Sequence, residues 1–405
     1  MYQYHTLSNG IRIVFRRTES PVIYSGVYIN IGSRDEKPLE YGVAHFIEHS
    51  IFKGTEHRRA YHILNRIDGV GGELNAFTTK EETCVYATSL AEHLERCLEL
   101  FSDVLFHSVF PEKELVKEKE VIVEEINSYQ DAPSDLIFDE FEEFVYGEHP
   151  LAHNILGTKK NLRRFTPQFV RDFMQRNYTT DRMAISVVGR VDFDRLVRLC
   201  ERYFGEYPRC ESGATRSEKP VPQRFEKILN RHTHQMHLLM GCPAPNIYDE
   251  CKVPFTLLNN IIGGPAMNSR LNVAIRERYG FCYTIESQFN PFSDAGLFYV
   301  YAGIEPEAFA RVKDLIHKEL NHFAEQKLTA QQLRSAQRQL IGQMSISNDM
   351  GLNEMQSIGK ACLNYGHVDT IEEMSQDVMN VTAEDLQLVA QQFLTEKEFS
   401  LLCYK

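Results

Sequence analysis

His45 and His49 stand four residues apart in the run His45-Phe46-Ile47-Glu48-His49, with a carboxylate directly before the second imidazole. On an α-helix that spacing is about 40° of arc and about 6 Å of rise, so both rings can grip one metal ion. Glu48 lies beside the same face. A divalent ion held by three protein groups keeps a place for water, and a nearby carboxylate can take that water's proton. The chemistry such a set supports is metal-assisted hydrolysis. Without a third ligand, the same residues would read as two surface histidines on an ordinary amphipathic helix.

Residues 112–130 offer that ligand. Pro111 suits a helix start, and Leu115, Ile122, Ile126 and Tyr129 mark an apolar stripe. Glu118 and Glu125, seven residues apart, lie within about 20° of each other on an ideal helix and straddle Ile122. Either these acids edge a buried face, as in other Glu-rich helices, or they face a cation that offsets the cost of burying them. On the second reading Glu125 completes a His-His-Glu triad and Glu118 supports a ligand from behind. Further along, Gly71 to Thr79 and Thr83 to Thr88 read as two extended runs joined by Lys80-Glu81-Glu82. They form a plain hairpin, or an edge to which a peptide adds as a strand.

The run Gly42-Val43-Ala44-His45-Phe46-Ile47-Glu48-His49-Ser50-Ile51-Phe52-Lys53-Gly54-Thr55 resembles the signature of the pitrilysin and mitochondrial-processing-peptidase family. These are zinc peptidases with the inverted order H-x-x-E-H, and this chain is similar to the small two-domain bacterial type. The resemblance covers nearly the whole chain. It implies His45, His49 and Glu125 as zinc ligands, Glu48 as general base, Glu118 as the partner of Glu125 at its seven-residue interval, and Asn75-Ala76 as the substrate-binding edge. Ser269-Arg270-Leu271 and Arg276 through Tyr283 match the family's C-terminal Arg/Tyr element. A guanidinium and a phenol suit a peptide carbonyl that gains negative charge, or the anchoring of substrate backbone. By spacing alone, Arg276 and Tyr283 read as a basic helix end and a buried strand tyrosine. Ser50 and Phe281-Cys282 depart from the family's commoner residues without removing a reactive group.

An internal repeat is visible without any family. Leu115 to Asp131 lies on Leu333 to Asp349 without a gap, which sets Ile122 on Leu340, Glu118 on Ala336 and Glu125 on Gln343. Thr166 to Phe173, leading to Met183–Val188, matches Thr382 to Val389, leading to Phe399–Leu402. Opposite the histidine helix, Pro254 to Asn260 holds neither histidine nor glutamate. Shared apolar positions explain shared packing, whereas acids present in one copy only need a local reason. The repeat and the Pro/Ser/Gly-containing stretch 206–227 divide the chain into residues 1–205 with the metal site, a linker 206–227, and residues 228–405 without one. Strands next to each other in sequence, with helices between groups, predict an α+β fold of two homologous domains, each a mixed, mostly antiparallel sheet packed with helices.

The 405 residues carry 44 Lys and Arg against 56 Asp and Glu, a net charge of −12, with no sustained basic tract. A phosphate backbone is repelled by such a surface, so nucleic acid is excluded as a partner. No run approaches the length needed to span a membrane, and Met1 to Gly10 lacks the layout of a secretory signal, so a cytoplasmic protein is expected unless the chain is a trimmed form. Nine cysteines without a C-x-x-C pair read as reduced core thiols. His149, His153, His232, His234 and His237 read as structural or surface residues, the last three on a strand.

Taken with the resemblance, the expected activity is a zinc-dependent endopeptidase, with one Zn²⁺ per chain, acting on short or unfolded peptides in an enclosed chamber. The resemblance further implies a homodimer with composite sites, Arg276 and Tyr283 coming from the second copy. Three rivals stay open: a non-catalytic assembly subunit, a processing-peptidase subunit inert without a different chain and, ranked last, a metal-dependent hydrolase acting on something other than peptides. Retention of the whole ligand set with Glu48 speaks against the first, and the Arg/Tyr element in the same chain against the second. The ligand set also suits manganese or cobalt.

Overall fold

Runs of buried, mainly apolar residues build the central strands of both sheets, successive side chains pointing to opposite faces. The computed structural model describes residues 1–212, 216, 219–231 and 233–405. The first sheet holds β1 (Tyr2–Thr6), β2 (Arg12–Arg17), β3 (Val22–Ile29), β4 (Glu73–Thr78), β5 (Thr83–Leu90) and β6 (Met183–Gly189), in the order β1-β2-β6-β3-β5-β4. The second holds β7 (Glu226–Leu229), β8 (Met236–Pro243), β9 (Cys282–Pro291), β10 (Gly296–Ile304) and β11 (Ser400–Tyr404), in the order β7-β11-β8-β10-β9. In each sheet one pair is parallel, β2 with β6 and β7 with β11, and the rest are antiparallel. Apart from β1 the two orders coincide strand for strand. The repeat seen in the sequence is thus a repeat of topology, and the fold is the α+β arrangement expected from it.

The central strands of each sheet are buried on both faces. Ile13, Phe15, Ile23, Val27, Ile185 and Val187 point to one side of the first sheet, into a core with Val43, Phe46 and Ile47 of the histidine helix (Val43–Ser50) and Leu115, Ile122 and Ile126 of the acidic helix (Glu112–Gln130). Their neighbours Val14, Tyr28, Ala184 and Val188 point to the other side, where Met355, Ile358, Cys362 and Leu363 of helix Gly351–Tyr365 cover them. The second sheet repeats this plan. Leu238, Met240, Phe298 and Val300 join its main core, while Leu239, Leu297, Tyr299 and Leu402 meet Ile137, Phe141 and Val145 of helix Pro133–Tyr146.

These two cover helices change the division expected at residues 205 and 228. One unit is Met1–Asn127 with His153–Ser217 and Ile346–Thr370, and the other is Ser128–Ala152 with Glu218–Ser345 and Ile371–Lys405. Residues 128–152 and 346–370 have changed places, because each sheet's second face takes its apolar cover from the other half of the sequence. Within the expected linker, Gly213 and Ser217 lie outside the described residues. Arg216 bonds to the side chains of Asn30 and Asp35 and to the Glu81 carbonyl, and β7 already begins at Glu226. His232 also lies outside the described residues. His234 precedes β8, so of the three histidines read as a strand only His237 is seen on one. His237 and His153 are structural as expected, the first bonded to the Tyr301 hydroxyl and the second to the Ser33 carbonyl.

Candidate metal centre

The histidine helix buries Val43, Phe46 and Ile47 in the first core, and this fixes which way the other side points. His45 and His49 emerge together, their ring centroids 4.6 Å apart. On the acidic helix, Leu115, Ile122 and Ile126 face the same core, and Glu118 and Glu125 come with them. The donors of His45, His49 and Glu125 lie within 4.8 Å of one another. Glu125 Oε2 stands 3.7 Å from His45 Nε2 and 3.5 Å from His49 Nε2. Atoms held about 2.0–2.2 Å from a tetrahedral ion are separated by about 3.3–3.6 Å, so the spacing fits a zinc-sized centre. Glu125 Oε2 is moreover buried with no hydrogen-bond partner, an arrangement that is costly for a carboxylate oxygen without a cation.

The electrostatics suit a ligand role. Burial, reinforced by the neighbouring His49, pushes His45 down to about 4, so its lone pair is free of a proton at neutral pH. Glu118 Oε2 lies 3.3 Å from His49 Nδ1, which leaves Nε2 of that ring toward Glu125. Lys53 Nζ holds the other oxygen of Glu118 at 2.7 Å. Lys53 lies past the end of the histidine helix at Ser50, so no helical spacing marks it in the sequence. Burial raises the Glu48 carboxyl above its ordinary range; the Glu125 charge adds to this, and Thr78 and His49 oppose it. A base so tuned works closer to neutral pH.

Beside these residues, β4 forms an open edge of the first sheet. Asn75 is exposed on it, and its Oδ1 accepts the Ala76 N–H at 2.8 Å. A cavity of about 230 Å³ is lined by Glu48, His49, Phe52, Lys53, Leu64, Asn75, Ala76 and Glu118. Phe52 and Leu64 add an apolar wall that the sequence motifs did not indicate. The first unit thus brings together His45, His49, Glu125, Glu48, Glu118, Asn75 and Ala76. Arg276 and Tyr283 belong to the second unit. Arg276 is exposed on a π-helical stretch, Asn272–Glu277, and bonds to Asn272 Oδ1 at 3.3 Å. Tyr283, near the start of edge strand β9, is 68% exposed rather than a buried strand tyrosine, and donates to Glu305 Oε1 at 3.2 Å.

Fold and cluster together define a two-unit α+β protein of the metallopeptidase type, built on an inverted H-x-x-E-H helix. The model for insulinase, peptidase family M16, matches residues 12–159, and that for the peptidase M16 inactive domain matches residues 164–340. The zinc protease YmxG of Bacillus subtilis is 35% identical over 399 residues, covering 98% of this chain and 96% of the relative. A zinc protease of Mycobacterium leprae is 34% identical over 405 residues, with 97% and 89% covered. The chain belongs to peptidase family M16, the pitrilysin family it resembles in sequence. Among solved structures, a protease from Helicobacter pylori superposes with a TM-score of 0.93 at 20% identity, over 100% of this chain and 99% of that one. A protein from Pseudomonas fluorescens described as a peptidase M16 inactive domain gives 0.91 at 20% identity, over 100% and 97%. At that identity the likeness is one of fold. No helix among the described residues is long and apolar enough to cross a membrane.

Proposed function

We propose that this chain is a zinc-dependent endopeptidase that cuts short or unfolded peptides, with one zinc per chain held by His45, His49 and Glu125. The observation that carries the proposal is the convergence of those three side chains, one oxygen 3.5 and 3.7 Å from two imidazole nitrogens, beside a carboxylate that belongs to none of them. A bound zinc supplies Lewis acidity toward the scissile carbonyl and the attacking water. Glu48 then accepts the water's proton and returns it to the leaving amine. Asn75 and Ala76 offer their edge to the peptide, which adds as a strand. Glu118, held by Lys53, keeps the His49 ring in place. Arg276 and Tyr283 steady the peptide backbone, and the family resemblance supports a homodimer in which they act on the second copy's site. A cytoplasmic location goes with this reading.

Purified protein is expected to cleave quenched peptides, to lose the activity to a chelator and to regain it with zinc. Glu48→Gln should bind zinc as tightly as wild type while its rate falls about 10²–10⁴-fold, the usual range for losing a positioned acid/base group. Zinc bound without chelator-sensitive cleavage of any peptide points instead to a scaffold subunit. Mixing Glu48→Gln with Tyr283→Phe chains should restore one working site if the elements act between copies. Two impaired dimers that fail to complement would exclude that arrangement.

A further inference from the structure

The histidine helix has no cap of its own. Gly42 precedes it in the left-handed region, φ 95°, with no side chain to offer, and no acid stands in the first turn. The cap comes from upstream. Glu36 accepts the Gly42 N–H through Oε2 at 2.8 Å and the Ala44 N–H through Oε1 at 2.7 Å. Its side chain is closed off from water, and its surroundings are built to keep it there. His153 Nε2 lies 3.8 Å from Glu36 Oε2, and the His153 ring stacks on Tyr41 with centroids 3.7 Å apart. A Cβ at position 42 would stand 2.8 Å from the Leu156 carbonyl and 2.9 Å from Gly157 Cα, so the chain passes at glycine-only distance. An eight-residue helix does not keep its shape alone in water, and what grips its ends sets its phase.

That phase matters more for one ligand than for the other. Glu118 braces the His49 ring through Nδ1, whereas His45 Nδ1 has no hydrogen-bond partner. The direction of the His45 ring therefore follows its backbone, and the residue just before it, Ala44, is the one Glu36 holds. We propose that Glu36 is a positioning residue for the metal centre, fixing through the Gly42 and Ala44 N–H groups the helix phase at which His45 Nε2 faces Glu125 Oε2. Glu36 touches neither the substrate nor the reacting atoms. This role rests on the zinc-peptidase reading.

The test measures zinc affinity by competition with a chromogenic chelator, kcat and KM on a quenched peptide, and the thermal midpoint of metal-free protein. Wild type, Glu36→Ala, Glu36→Gln and Gly359→Ala are compared, the last as a purely structural control in the same unit. Glu36→Ala should weaken zinc binding by about 10–100-fold, the range seen when a group supporting a metal ligand is lost, and lower kcat with KM nearly unchanged. Glu36→Gln, with one acceptor where two N–H groups point, should fall between. Gly359→Ala should lower the midpoint and leave zinc affinity alone. Folded Glu36→Ala or Glu36→Gln that binds zinc as wild type does overturns the role. Should Glu36→Ala not fold, Glu36→Gln decides by the same criterion. Wild type that binds no zinc overturns the peptidase reading itself and this role with it, which is a different result from wild type and variant binding alike.

Discussion

Single titratable groups set how this protein answers to pH. Burial, with the Lys80 charge adding to it, pushes His153 down to about 4. At pH 7 the imidazole is neutral in both folded and unfolded chains, and the shift contributes nothing. As pH falls through about 6.5 the unfolded chain takes up a proton that the folded one refuses until about 4, so stability drops across that window by up to about 3 kcal/mol and then levels off. His45 is shifted the same way and adds to the loss in metal-free protein. Urea unfolding of metal-free wild type and His153→Gln at pH 7.5, 5.5 and 4.5 checks this. Wild type should lose more stability than the variant over that range, and parallel losses would show that His153 protonates as freely in the folded protein as outside it. With zinc bound, protons compete with the metal for the His45 imidazole, so acid also removes the stabilisation that zinc gives; a chelator should lower stability near neutral pH and flatten the acid limb of the curve.

Elements place these groups, and close packing places the elements. On helix Gly351–Tyr365, a Cβ at Gly359 would lie 2.5 Å from a Tyr28 ring carbon and 2.9 Å from Ser186 Oγ. Gly359→Ala must push the helix off the first sheet, at a cost of about 1–3 kcal/mol by the usual penalty for overpacking. Gly342, inside helix Ala330–Asp349, has nothing within 4 Å of that position. Gly342→Ala should therefore gain up to about 1 kcal/mol through helix propensity alone. Chemical denaturation of the two variants should shift in opposite directions; a shift of the same sign in both would mean that contact at Gly359 does not govern its packing. The sequence makes the first kind of regularity plain. Leu115, Ile122 and Ile126 outline the acidic helix, and the gapless match of Leu115–Asp131 with Leu333–Asp349 anticipates two helices that begin at aligned positions, Glu112 and Ala330. The histidine pair and Glu125 are legible because helical periodicity puts them on definite faces. What periodicity leaves out is which surface a face meets. Met355, Ile358 and Cys362 announce an apolar stripe without saying that β2, β3 and β6 receive it, and Glu36 is separated by six and eight residues from the N–H groups it caps, with no repeat to mark it.

At the scale of the whole molecule, the exchange of cover helices makes each unit depend on distant sequence. Helix Gly351–Tyr365 seals Val14, Tyr28, Ala184 and Val188, all nearly inaccessible, with Met355, Ile358, Cys362 and Leu363. Burying four such side chains contributes roughly 6–12 kcal/mol, on a scale of about 1.5–3 kcal/mol each, as much as the net stability of a typical domain, about 5–15 kcal/mol. Polar ties accompany it: the Arg12 guanidinium caps the helix end through the Cys362 and Leu363 carbonyls at 2.8 and 3.2 Å, Arg16 pairs with buried Glu354, and Lys360 meets buried Glu82 at 3.1 Å. A fragment of residues 1–205 carries every metal-centre residue but bares this face and leaves Glu82 without Lys360. It should form no cooperative native state and should bind zinc weakly or aggregate. Adding residues 346–370 as a separate peptide should restore a cooperative unfolding transition, near-ultraviolet dichroism and zinc affinity together, because the peptide returns the cover without adding a ligand. A fragment that folds cooperatively alone, with unaltered zinc affinity, would show that the first unit's own sequence suffices and that the exchanged helix merely decorates it.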